Sequence, residues 1–179
     1  MDHDRQLAPS AFPGDQGLAD PATRRALAAA LTGADVTDYL RAVAVLCQDR
    51  LLVPVVATAT RLGQTAGGLA SDKEAEMAVV MLQAADGRRA LLAFTGLDAL
   101  QAWQSDARPV AVTLDKAAQT ARAEGVATLL VDFAGPHPLV LDGEVLASLA
   151  AGRRLVETEP GVFGWMVAAD GEPEAAAAG

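Results

Sequence analysis

The chain has 179 residues and a formal net charge of -9; its apolar share of 51% leans on alanine, with aromatics at only 4%. That length suits one domain with an ordinary core plus tails. The acidic balance argues against a nucleic-acid binder, because phosphate contacts supply most non-specific affinity. The arginine doublets Arg24-Arg25, Arg88-Arg89 and Arg153-Arg154 are scattered and form no basic run. The longest apolar stretches, such as Leu51 to Ala57, fall far short of the roughly 20 residues a membrane helix needs. The N-terminus is polar and acidic and lacks the regions of a secretory signal. A soluble cytoplasmic protein is the expectation. Cys47 is the only cysteine, which excludes a disulfide framework or a thiolate zinc site within one chain.

Residues 1–19 contain Pro, Gly, Gln and Asp without periodicity and read as a disordered lead-in. Asp20-Pro21 places an N-cap before a first-turn proline and predicts a helix to about Leu31. Val36, Tyr39, Leu40, Val43, Leu46 and Cys47 recur at helical spacing and predict a second helix to about Gln48. Leu51 to Thr58 reads as a strand, and Pro54 within it argues for an edge or a bulge. Arg61 to Asp72 holds three glycines without period and reads as a long mobile loop.

Asp86-Gly87 lies between two apolar runs, Glu74 to Gln83 and Arg88 to Phe94. That predicts a β-hairpin with a type I′ turn. The runs are nearly continuous, so both faces should be covered. Thr95-Gly-Leu-Asp98 resembles a capping box opening a short helix to Trp103. A strand over Pro109 to Thr113 follows, then a helix capped by Thr113 and ended by Gly125. Ala127 to Phe133 reads as a strand, and Ala134 to Pro138 as a turn. A short strand then leads to a helix capped by Asp142 and stopped by Gly152. A last strand runs from Gly161 to Val167. Strands alternating with helices favour partly parallel pairing, while the hairpin adds antiparallel pairing. The expected class is α+β (mixed α/β): a mixed sheet containing the Asp-Gly hairpin, with helices packed on it. One domain over residues 20–168 and a disordered tail over 169–179 complete the organisation.

The chemical candidates are few, and each has a plain structural reading. Cys47 falls on the apolar face of a predicted helix, where free cysteine behaves as a small hydrophobe. His137 stands between two prolines, and none of Ser71, Ser105 and Ser148 lies in a G-x-S-x-G turn. Asp72, Lys73, Glu74 and Glu76 form the densest charged cluster. Its carboxylates could hold a divalent cation, but charges also commonly protect the start of a strand. Gly63, Gly67 and Gly68 lack the Gly-Lys-Ser/Thr of a phosphate loop. Trp165, within Val-Phe-Gly-Trp-Met, is a candidate interface anchor, because tryptophan is enriched at binding hot spots.

Several blocks in order carry a resemblance: LLVPV, DKEAEMAVVML, DGRRALLAFTGLDALQAW, ARPVAV and GVATLLVDFAGPHPLVLDGE. Phe94-Thr95 leading into Leu100 and Trp103 is the best of them. From Leu51 to Arg153 the arrangement resembles the N-terminal domain of the SseB (enhanced serine sensitivity) family, and the two N-terminal helices fit its longer actinobacterial-like members. Such sequences often carry Asn-Pro after the late strand, where this chain has Asp132-Phe133. The resemblance implies at most an accessory or regulatory role and transfers no catalytic residue.

The resulting expectation is a non-enzymatic cytoplasmic accessory module acting through protein–protein contacts, with no cofactor and no metal. The partner is an unknown protein, not nucleic acid or membrane. The candidate surface comprises Asp72, Lys73, Glu74, Glu76, Asp132, His137 and Trp165. The alternative is a sensor of a small, amino-acid-like metabolite, with the glycine-rich loop closing over a pocket.

Overall fold

The structure is a computed structural model that describes residues 12–33, 35–58 and 76–167. The glycine-rich loop, Asp72, Lys73 and Glu74 lie outside the described residues, as do the chain's first eleven residues and the expected tail. Among the described residues there are five α-helices and nine β-strands.

The first helix, α1 (Pro21–Thr32), starts as its sequence dictates. The Asp20 carboxylate accepts from the amides of Ala22 at 2.6 Å and Thr23 at 3.3 Å, and Pro21 needs no amide partner. Asp35 caps α2 (Val36–Leu46) through the Thr37 amide. The next element, β1 (Arg50–Thr58), pairs antiparallel with β2 (Glu76–Val79) on one side and β5 (Arg108–Thr113) on the other. β1 is therefore central, which corrects the edge position expected from Pro54. The reason is where the missing donor points. In an antiparallel ladder a residue's N–H and C=O face the same neighbour. The Pro54 carbonyl accepts from the Val80 amide at 3.0 Å, so its bare nitrogen faces the point where β2 gives way to β3 (Met81–Gln83). Pro109 stands directly opposite Pro54 and turns its own bare nitrogen to the open edge of β5.

β3 pairs antiparallel with β4 (Arg89–Ala93), Gln83 facing Arg89. The connection is tied by Gly87 N–H to Ala84 O at 2.9 Å and Ala84 N–H to Arg88 O at 2.8 Å. Only Gly87 has positive φ, at 85°; Asp86 does not. The two-residue type I′ turn is thus replaced by a longer turn with the glycine in a bulge position. β4 runs parallel to β6 (Thr128–Val131), and β6 antiparallel to β7 (Leu139–Asp142). A bridge between Leu52 and Phe94, with both backbone hydrogen bonds made at 2.8 and 2.9 Å, joins the β2-β1-β5 sheet to the β3-β4-β6-β7 sheet. The bent β2–β3 segment fills the wedge where β1 and β4 diverge.

Strand alternation divides the interior in two. Leu51, Val53, Leu91, Ala93, Leu129 and Leu141 point into the main core, together with α1, α2, α4 (Leu114–Ala123) and α5 (Gly143–Ala150). Leu52, Leu92 and Phe94 point the other way, against Ala99 and Leu100 of α3 (Leu97–Trp103). Strands covered on both faces need near-continuous apolar runs, as this sequence supplies. Phe94 is fully buried and stacks on Trp103, ring centroids 5.6 Å apart. Three helix starts depart from expectation. Thr113 and Asp142 occupy N-cap positions without a side-chain capping bond, and Gly96 rather than Thr95 is the N-cap of α3.

β8 (Arg153–Glu159) and β9 (Val162–Val167) close the described chain as an antiparallel hairpin. β8 was not anticipated, because its charged residues mask its Leu155 and Val156. Pro160-Gly161 was the available signal, a turn dipeptide between two runs. Leu155 and Phe163 join the main core. Arg41 of α2 grips Glu157 with two hydrogen bonds at 3.0 and 2.7 Å. β9 is the outer strand, paired among the described residues to β8 alone.

Because the Leu52–Phe94 bridge and the Phe94–Trp103 stack hold the two sheets at one point, Phe94→Ala is expected to cost ~3–5 kcal/mol of unfolding free energy. Urea denaturation measures it; a loss under ~1 kcal/mol would show that the sheet junction does not depend on this ring.

Candidate functional site

The densest polar cluster lies where β4 and β6 end side by side. Thr95 follows β4, and Asp132 follows β6. Asp132 adopts φ +51°, the one positive value among the described non-glycine residues. Aspartate tolerates that region better than most residues. The turn is locked by Asp132 N–H to Ala93 O at 2.9 Å and Gly135 N–H to Asp132 O at 2.8 Å. A Cβ on Gly135 would sit 3.2 Å from the Asp132 carbonyl oxygen, so the tight return favours glycine.

The Asp132 carboxylate is buried and takes the Thr95 amide at 2.8 Å on one oxygen and the Thr95 hydroxyl at 2.7 Å on the other. Arg24 of α1 donates through Nε to the Thr95 hydroxyl oxygen at 2.7 Å and lies 3.5 Å from the Asp132 carboxylate. Its Nη2 reaches Asp98, in the first turn of α3, at 2.7 Å. The Thr95 carbonyl accepts from Arg50 Nη1 at 2.5 Å. Arg50 in turn holds Asp15 through Nε at 2.6 Å and the Leu18 carbonyl at 2.7 Å. Residues 12–19, inside the segment read as a lead-in, are thus tied to the sheet; the Leu97 amide also bonds the Gly17 carbonyl at 2.8 Å. Gly96 is required here, because a Cβ would stand 2.9 Å from the Ala19 backbone nitrogen.

Burial pushes the Asp132 carboxyl above the usual carboxylate range, outweighing the Thr95 and Arg24 donors that favour its charged form. For Asp15 the Arg50 guanidinium wins and holds the carboxyl low. A threonine hydroxyl beside a carboxylate could in principle be activated as a nucleophile. Thr95 and Asp132 are 0% and 1% exposed, and neither is a lining residue of four concavities on the described surface. The cluster is a structural tie among β4, β6, α1, α3 and the N-terminal segment.

Of the expected surface, Glu76, Asp132, His137 and Trp165 fall within the described residues, and they are spread over β2, the β6–β7 connection and β9. Glu76 pairs with Thr58 at the far end of β1, eight residues from the Arg50 that touches Thr95, about 27 Å at the rise of a strand. His137, half-buried in the β6–β7 loop, has a buried Nδ1 without a hydrogen-bond partner. Neither Ser105 nor Ser148 bonds to it. Trp165, 37% exposed on β9, pairs with Leu155 across the hairpin. Among the described residues no three His, Cys, Asp or Glu side chains gather as a metal centre needs. No described helix is long and apolar enough to cross a membrane. Cys47 is buried, and burial raises its thiol pKa.

Two outcomes follow for the cluster. Thr95→Val leaves an Asp132 oxygen and Arg24 Nε without their partner and should cost ~1–3 kcal/mol of unfolding free energy, measured by denaturant titration. An unchanged midpoint would remove the hydroxyl from the tie. The raised Asp132 pKa has a definite sign. Between the unfolded and folded values the native state holds a proton that the unfolded chain has released, so stability falls as pH rises through that window. The lowered carboxyls Asp15, Asp35, Asp86 and Glu157 act in the opposite sense and at lower pH, losing their contribution as pH falls through their depressed values. Subtracting the Asp132→Asn stability–pH curve from that of the wild type therefore isolates a decline above the usual carboxylate range; a flat difference would contradict the raised pKa.

No curated protein and no solved structure matches the chain. Residues 23–148, well over half the chain, match the family described as the SseB protein N-terminal domain. The matched span contains Arg24, Thr95 and Asp132 and ends within α5, so β8 and β9 lie beyond it. The chain belongs to the SseB family through this N-terminal domain.

Proposed function

We propose that this SseB-family chain is a non-enzymatic accessory or regulatory module of the cytoplasm that works by contact with another protein. One observation carries the reading. β9 is an outer strand of sequence VFGWMV, on which Val162, Trp165, Met166 and Val167 are 51%, 37%, 57% and 73% exposed. Soluble proteins usually blunt such an edge with charge, proline or a covering element. β9 contains no charge and no proline, and an outer strand with exposed apolar residues on both faces is a template for a partner. An apolar edge strand suits either strand addition by a partner or capture of Trp165 in a partner's pocket. The net charge of -9 supports a protein over a nucleic acid as that partner.

The test is capture of cross-linked partners from the native host, followed by affinity measurement with the purified partner. Trp165→Ala should retain the wild-type melting temperature and weaken the complex by ~30-fold, as expected for a hot-spot tryptophan. Undiminished affinity in this variant, or in Met166→Asp, overturns the β9 surface.

A further inference from the structure

We propose that the cleft between the first turn of α4 and the β8–β9 hairpin binds a small organic carboxylate, with Arg154 taking the anion. Two concavities of about 570 and 550 Å³ meet there and share Phe12, Thr113, Arg154 and Val167 as lining residues. Each falls in the size range of small-molecule sites, which are mostly apolar with a few placed polar groups.

Arg154 stands at the junction with donors to spare. Its single hydrogen bond goes from Nη2 to Asp115 at 3.3 Å, longer than the ~2.7–2.9 Å of a well-formed charge-assisted pair. Its Nε is buried without a partner, while the side chain as a whole remains 41% exposed. The contrast with the other structural arginines is sharp. Arg24, Arg41 and Arg50 each spend at least two donors on oxygen atoms at 2.5–3.1 Å. An arginine whose fork is only partly used, at the wall of a cleft, is suited to a planar carboxylate.

The lining gives the ligand a direction. The first concavity adds Lys116 and Gln119 to Arg154, against the single carboxylate of Asp115. The second balances Arg154 with Asp49, and its other walls include Cys47, Leu155, Val156 and Met166. The anion belongs on the Lys116 side and the hydrocarbon body on the Val156 and Met166 side. The first concavity alone has one surplus positive charge, and over both concavities Arg154 and Lys116 only balance Asp115 and Asp49, a setting that suits a monoanion better than a phosphate dianion. The cleft shares Met166 and Val167 with the β9 surface, but Trp165 lines neither concavity, so the Trp165 contact and the Arg154 anion site are tested by different residues.

Thermal shift and isothermal titration of the full chain with acetate, butyrate, hexanoate and inorganic phosphate test the assignment. Melting temperature should rise with carboxylate concentration, and affinity should increase from acetate to hexanoate as more hydrocarbon is buried. Arg154→Gln should weaken hexanoate binding by about tenfold. Lys116→Gln, at an exposed position where substitution should change stability little, should weaken it several-fold without altering the chain-length trend. No response to any carboxylate overturns the proposal, as does a response to phosphate alone or hexanoate binding unchanged in both variants. Loss of the Trp165-dependent complex has no bearing on these readouts, so the two readings fail separately.

Discussion

The bond pair between Thr95 and Asp132 is the constraint from which the rest of the architecture hangs. Two parallel strands end together, and the chain must leave each in a different direction. The amide and hydroxyl of Thr95 meet the two oxygens of one carboxylate, which fixes both exits at once. Arg24 then closes on this pair from α1, and Arg50 closes on the Thr95 carbonyl from β1. Three separate parts of the chain thus converge on Thr95. Burying a charge without partners is costly, so such a cluster discriminates strongly between a correct and a slightly misplaced arrangement of the elements.

Much of the fold was legible because local signals and tertiary needs agree. Asp20-Pro21, the heptad-like spacing from Val36 and the glycines at 125 and 152 specify helix limits through backbone chemistry alone. The apolar runs at Leu51 and Arg88 read as strands because both of their faces are covered. Failures came where a residue's partner is remote in sequence. Thr95 looks like a cap because Asp98 follows at the right spacing, yet its hydroxyl is committed to Asp132, thirty-seven positions away. Pro54 looks like an edge signal, but the side to which its absent donor points is decided by Val80. β8 escaped notice because its buried residues are few and its charges have specific partners, Glu157 on Arg41 and Arg154 on Asp115.

The candidate site shows the same division. Trp165 was identified from composition and lies partly exposed on an outer strand. Asp132 was singled out for a departure from a family pattern and is a buried anchor instead. Arg24 and Arg50 carried no local mark, since their roles exist only once the strands are assembled. The family match covers the anchored sheet and stops before the hairpin. Arg24, Arg50, Thr95 and Asp132 are therefore inside the matched span and the apolar outer strand is outside it, while the cleft beside Arg154 is built from both, Lys116 within the span and Arg154 beyond it.

The distribution of the tie along the chain has a consequence for synthesis. Asp15, Arg24 and Arg50 emerge from the ribosome early, Thr95 much later and Asp132 later still. Until residue 132 is available, the arginines have no carboxylate–threonine pair to close upon, and the Leu52–Phe94 bridge has no parallel neighbour to stiffen it. Contacts of such long sequence separation must bear loop-closure entropy before they return any stabilisation. The nascent N-terminal helices and β1 therefore wait as a loosely organised assembly with an apolar strand in need of cover. Pro109, bare of an amide on the outer edge of β5, then limits strand-to-strand capture by neighbouring chains once β5 has joined the sheet.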